Sequence, residues 1–292
     1  MASLDDLKKR IKSVKSTQKI TKAMKMVAAA KLRKAQESAE KGRPYSQKMQ
    51  NIILNLTKSI SDPQNAPKLL TGTGQDKIHL CVVLTADRGL CGGFNSNICK
   101  LAKTNFKKIL SEGKELKIIT VGIKGLDQIR REYGKYVIKK FSFKNKKKIT
   151  FNEAEIIGNE IIKLFNEEQF DKCTLFYNNF KNVMTQIPQA QQIIPAEQNM
   201  AKENDVNSLS YEFEPEEDEI LEDLLPKNIS TQVFKAFLEN AASEQGSRMT
   251  AMDSATRNAG DLVDKLTINY NRSRQASITK ELIEIISGAE SL

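Results

Sequence analysis

The sequence predicts an α/β protein whose two terminal helices pair as a long antiparallel coiled coil around a compact middle. Three observations lead there. The first sixty residues and the last eighty carry apolar residues at helical steps of three and four. Between them, short apolar runs bounded by glycine alternate with helical patterns. The charge is polarised: residues 1–60 hold 15 Lys/Arg against 4 Asp/Glu, which accounts for the net charge of +10.

The amino-terminal helix is read over residues 3–40. Leu4, Leu7, Ile11 and Val14 begin a stripe that passes through polar Gln18 and Thr21 to Met24, Ala28, Leu32, Ala35 and Ala39. That repeat of 3.5 belongs to a coiled-coil seam. Ser3, followed by Asp5 and Asp6, supplies a cap oxygen and acids against the helix dipole. Gly42-Arg43-Pro44 is expected to kink or break the helix, because Pro44 has no amide hydrogen and its ring crowds the preceding turn. Helical spacing resumes at Tyr45, Met49, Ile52, Ile53, Leu56 and Ile60, and 62–74 reads as a surface linker.

Ile78–Leu84 is an almost unbroken apolar run, as for a strand buried on both faces of a parallel sheet. A glycine-bearing loop, Thr85–Asn95, precedes a helix over 96–110. Strands at 116–121, 137–143 and 173–177, helices at 123–132 and 151–165, and an edge strand at 191–195 complete a Rossmann-like α/β domain over 75–200. Asn152 with Glu155 reads as the cap of the 151–165 helix. The last helix lies within 210–292 and is expected to pair with 1–60. Gly246 and Gly260 each weaken it by roughly 1 kcal/mol without ending it.

The function classes narrow from what the composition holds. His79, the only histidine, excludes a multi-histidine metal centre within the chain; it reads as a packing residue inside a strand. Cys81, Cys91, Cys99 and Cys173 form no Cys-x-x-Cys and read as small buried side chains, so no metal or cofactor is expected. The glycine loop matches neither common phosphate-binding pattern, and a tight turn explains Gly89, Gly92 and Gly93. No run of about 18 apolar residues spans a membrane, and no apolar leader opens the chain. The Lys139–Lys148 cluster around Phe141 and Phe143 is read as a solvated hairpin, and eight acids over 210–225 carry no assigned role. Basic segments attract nucleic acid, anionic lipid or acidic protein alike.

The carboxyl end separates these. Ile278, Leu282, Ile283, Ile285 and Ile286 spread apolar surface more widely than one coiled-coil partner covers, so the tip is expected to enter a cavity of another protein. Two rival readings remain: a scaffold holding nucleic acid on its basic rod, and a Rossmann-like enzyme using the Thr85–Asn95 loop.

Three blocks, Ile11–Leu32, Thr85–Asn95 and Arg274–Gly288, resemble the gamma subunit of F-type ATP synthase, and Ser243–Met252 is similar to a fourth block of that family. The resemblance implies a non-catalytic rotor shaft turned by proton flow. Its partners would be the ring of alpha and beta subunits, the epsilon subunit and the membrane ring of c subunits, with no nucleic acid. It further implies that Met24 and Lys25 face an acidic loop of the beta subunit, and that Arg248, Arg274, Gln275 and Thr279 act in coupling and ring contact. The missing extra cysteine pair leaves no chloroplast-type thiol regulation to expect. The opening without a transit peptide favours the cytoplasmic face of a bacterial inner membrane, as a peripheral protein, over the matrix side of the mitochondrial inner membrane.

Overall fold

In the computed structural model, residues 3–59, 67–146, 149–196 and 217–290 are described. The chain divides into two units, one of residues 1–30 with 248–292 and one of residues 31–247. The two long helices, α1 (Leu4–Ser59) and α6 (Glu217–Glu290), contribute residues to both.

The larger unit is built on a five-stranded sheet of order β3-β2-β1-β4-β5: β1 Ile78–Leu84, β2 Glu115–Val121, β3 Val137–Phe141, β4 Lys172–Phe180 and β5 Gln186–Ile194. β1 through β4 run parallel and β5 is antiparallel to β4 at the edge. The unbroken apolar run of β1 has its cause here. The strand lies mid-sheet, and its side chains alternate between two cores. Leu80, Val82 and Leu84 pack with α5 (Phe151–Asn166) and with Ile229, Val233 and Phe237 of α6. Cys81 and Val83 pack on the other face with α3 (Phe94–Ser111) and α4 (Ile123–Tyr133). The Rossmann-like α/β expectation therefore holds, with α6 serving as one of the covering helices.

Several local readings are corrected. α1 passes through Pro44 without a break. The lost backbone bond is offset by neighbours: Arg43 binds Glu239 on α6, and Ser46 donates to the Arg43 carbonyl at 3.0 Å. The cap of α5 is Thr150, not Asn152, and its partner is Glu153. The Thr150 N–H donates to Glu153 Oε2 at 2.7 Å, two residues ahead of the Asn152–Glu155 match. His79 is half-buried and hydrogen-bonds Asp76 at 2.6 Å rather than packing in the core. Part of the expected 62–74 linker forms a one-turn helix, α2 (Lys68–Thr71); its earlier residues, with Ile60, the acidic 210–216 and Lys147–Lys148, lie outside the described residues. β3 ends at Phe141, because Asp87 takes the next residues. Its carboxylate accepts from Ser142 Oγ at 2.9 Å and from the Phe143 N–H at 3.1 Å.

The Thr85–Asn95 loop is held by its own polar side chains. Thr85 Oγ accepts from the Gly125 N–H at 2.9 Å, and Asn95 Oδ1 accepts from the Ala86 N–H at 2.9 Å. Gly122 sits across from it at φ 98°, and a Cβ there would lie 2.3 Å from the Thr85 carbonyl oxygen, so only glycine fits. The four cysteines are buried and free.

A doubly wound sheet takes ligands outside the carboxyl ends of the strands where the order reverses, here between β1 and β4. Side chains of α6 fill that place. Asn240 Nδ2 donates to the Leu84 carbonyl at 3.2 Å, its Oδ1 accepts from the Asn178 N–H at 3.0 Å, and Ser243 Oγ donates to the Asn178 carbonyl at 3.2 Å. The crevice an enzyme of this fold would use is closed by the chain's own last helix.

Candidate functional site: the paired terminal helices

In the smaller unit the first part of α1 lies antiparallel to the last part of α6. Three pairs set the register. A Cβ on Gly260 would come within 3.0 Å of Gln18 Nε2, the Thr21 and Thr256 hydroxyls hydrogen-bond at 2.8 Å, and Lys25 Nζ reaches Asp253 Oδ1 at 2.5 Å. Seven residues up α1, from Gln18 to Lys25, are matched by seven down α6, from Gly260 to Asp253, as antiparallel helices with a common rise require. Leu7, Ala28, Met252, Ala259 and Val263 are buried in this pair. Gln18 and Thr21, the polar interruptions of the stripe, are explained by the hydroxyl and the glycine that face them. Such a polar layer fixes register at some expense of stability.

The register also fixes where pairing stops. Leu4, the first residue of α1, falls opposite Arg274, and α6 continues to Glu290. Beyond Arg274 no residue of α1 remains to cover the helix. The exposures agree: Ile278 is 49% exposed, Leu282 53%, Ile283 58%, Ile285 68% and Ile286 56%. At 3.6 residues per turn these five span an arc of about 160°. That is wider than the seam one partner helix buries.

The six residues named from the sequence fall into separate groups. Lys25 is bound to Asp253, which Arg257 also reaches at 3.2 Å. The Lys25 ammonium holds the Asp253 carboxyl below the ordinary carboxylate range. Met24, beside it, is half-buried, as is Arg248. Arg274, Gln275 and Thr279 are exposed where α1 ends, and Thr279 Oγ1 donates to the Gln275 carbonyl at 2.9 Å within its own helix. The structure thus brings neither Met24 nor Lys25 to the Arg274–Thr279 group. Sequence reading missed Asp253, Thr256 and the Asn240–Ser243 plug. A register written across the two helices would have placed Asp253 opposite Lys25; nothing local marks it. Among the described residues no group of histidine, cysteine and carboxylate side chains is arranged to hold a metal ion, and no helix is long and apolar enough to cross a membrane.

The family model described as ATP synthase matches residues 3–292. An ATP synthase gamma chain from Pelagibacter ubique is 72% identical over 292 residues, covering all of both chains. One from Rhizobium etli is 56% identical over 294 residues with the same coverage. The chain belongs to the ATP synthase gamma-chain family. A solved structure titled as the central stalk and c-ring of the Tetrahymena thermophila mitochondrial ATP synthase contains a chain with 27% identity and a TM-score of 0.59, covering 81% of this chain and 99% of that one. Gamma-chain membership accounts for the full-length organisation: a sheet domain inserted between two terminal helices that need each other to bury their stripes.

Proposed function

We propose that this gamma chain is the central rotor shaft of an F-type ATP synthase and couples proton-driven rotation to ATP synthesis, and to hydrolysis, at catalytic sites on the beta subunits. The observation that carries this reading is the apolar overhang of α6. Residues 278–286 present their broad apolar face beyond the start of α1, where no helix among the described residues covers it. A ring of alpha and beta subunits around the tip would supply the cover a lone coiled coil lacks. A smooth, non-directional apolar contact also suits a bearing, because burial energy changes little as the helix turns.

The second feature is charge. Lys8, Lys12, Lys15, Lys19 and Lys22 are exposed on α1, a surface that matches an acidic partner. Met24 and Lys25, by family resemblance, belong to the segment facing an acidic loop of the beta subunit. With Lys25 committed to Asp253, the exposed lysines before it are the ones free to meet that loop. Arg248, Arg274, Gln275 and Thr279 take the coupling and ring contacts. The epsilon subunit and the c-ring are the partners on the sheet domain, and the complex sits peripherally on the cytoplasmic face of the bacterial inner membrane. No catalytic step is assigned to the gamma chain itself, since its strand-order crevice is filled by Asn240 and Ser243. Its part is mechanical: an asymmetric shaft meets the three beta subunits differently at each angle and so drives their sites through different conformations in turn.

A nucleic-acid scaffold shares the basic helix but has no use for the apolar tip. Purification of the chain from its native membrane decides between them. A heterohexameric ATPase co-purifying with it is the expected result. Recovery with nucleic acid and without that ATPase would overturn the proposal.

A further inference from the structure

Among the described residues β3 has β2 on one side and no strand on the other. Such an edge offers unpaired backbone groups to any extended chain. Which groups face outward follows from one bond. The Phe141 carbonyl accepts from the Gly122 N–H at 2.9 Å, so Phe141 turns its backbone toward β2. Backbone direction alternates along a strand, so Lys140 turns its N–H and C=O away from the sheet; Ile138 is the extra residue of a bulge opposite Ile118 and Ile119, where that alternation is interrupted.

Beside this edge lies a groove of about 450 Å³, between β3 and α4, lined by Leu126, Arg130, Val137, Ile138, Lys139 and Lys140 with Gly134. Leu126, Val137 and Ile138 give it apolar surface, and Ile138 is 44% exposed. Its rim is cationic. Lys139 is paired with Glu160 on α5, but among the described residues no carboxylate pairs with Arg130 or Lys140. Lysine on an edge is a common protection against edge-to-edge pairing. Here it forbids a second copy of β3, which would bring like charge against like. It does not forbid an acidic strand, which finds hydrogen bonds from the edge, apolar surface for alternate side chains and two uncommitted cations.

We infer that the β3–α4 groove is a docking site for an acidic, extended segment of another protein, added to the sheet as a sixth strand antiparallel to β3. Main-chain bonds to the outward N–H and C=O of Lys140 anchor the segment, and Arg130 and Lys140 select for carboxylates. The site is independent of the rotor assignment, since it is read from the full chain alone.

The test uses the full chain and a synthetic eight-residue peptide alternating glutamate with valine. Binding is followed by fluorescence titration, and amide hydrogen exchange is read by NMR. The expected result is saturable binding that weakens with salt, with slowed exchange of the Lys140 amide among the β3 amides. Lys140→Pro removes an outward amide without touching the β2 ladder, as an edge tolerates, and should weaken binding at least about tenfold. Arg130→Glu, which leaves the strand intact, should weaken it by a similar factor. No binding at millimolar peptide would overturn the inference. So would equal binding of a lysine–valine peptide, undiminished binding to Lys140→Pro, or protection of the same amide by a single-stranded oligonucleotide or by inorganic phosphate.

Discussion

Ile285→Ala with Ile286→Ala tests the tip. An Ile→Ala change deletes three carbons, each worth about 0.8 kcal/mol on full burial. The two side chains are 68% and 56% exposed in the chain, so roughly that share remains to be gained when a partner covers them. About 1.5 kcal/mol per site is therefore available on docking, and about 3 kcal/mol for the pair. That corresponds to a roughly hundredfold weaker hold on the catalytic ring. Alanine is the better helix former, so the free gamma chain should keep its helicity and lose no more than about 0.5 kcal/mol of stability. The assay is titration of the alpha–beta ring with wild-type and doubly substituted gamma chain, with circular dichroism on each chain alone. Equal affinity for both chains would refute the argument that the overhang is seated in the ring. Loss of helicity in the free variant would show instead that the tip is already covered within the chain.

The sheet domain gives further predictions. Gly158→Ala places a methyl 2.3 Å from Ser230 Oγ, so thermal unfolding should show a loss of about 1–3 kcal/mol, partly recovered in combination with Ser230→Gly. Arg43 binds Glu239 at 2.7 Å while Glu239, only 4% exposed, also accepts from the Phe180 N–H at 3.1 Å. Arg43→Ala should cost about 2–3 kcal/mol in urea unfolding, at or just below the lower end of the range for a broken buried pair, because Arg43 is itself 38% exposed. Arg43→Met with Glu239→Leu should recover much of it. Acid should weaken the start of α5. Bonds from Thr150 and Lys146 hold Glu153 down to about 2 from an ordinary 4.5. The unfolded chain therefore binds this proton more readily, so the stabilisation is complete above about pH 4.5 and is lost as pH falls toward 2. Glu153→Gln should flatten that limb of the stability–pH curve, and an unchanged limb would remove Glu153 from the account.

The parts of this chain that read correctly from sequence are those where a local pattern and the tertiary environment demand the same residues. β1 is apolar from Leu80 to Leu84 because both its faces there are cores, and the seam of α1 is regular where α6 runs along it. Where tertiary contacts outweighed local rules, the reading failed. Pro44 breaks helices in isolation, but Arg43 and Ser46 tie that turn to its surroundings. Thr150 and Glu153 outcompeted Asn152 and Glu155 by a shift of two residues that composition does not distinguish. His79 sits in an apolar run, yet Asp76, three residues before it, drew its ring into a surface cluster with Lys114 and Lys172. At the candidate site the tip was legible because too many faces were apolar. The Lys25–Asp253 pair was not, since it joins residues 228 positions apart and exists only once the helix register is known.

Rotation of the assembled gamma chain is the most direct test of the shaft. Because the four native cysteines are buried, Lys144→Cys on the exposed turn after β3 gives one selective attachment point for a visible probe. With the alpha–beta ring fixed to a surface and ATP supplied, the probe should turn in one direction, advancing one third of a revolution for each catalytic event. A ring that hydrolyses ATP at full rate while the bound gamma chain stays still would contradict the account.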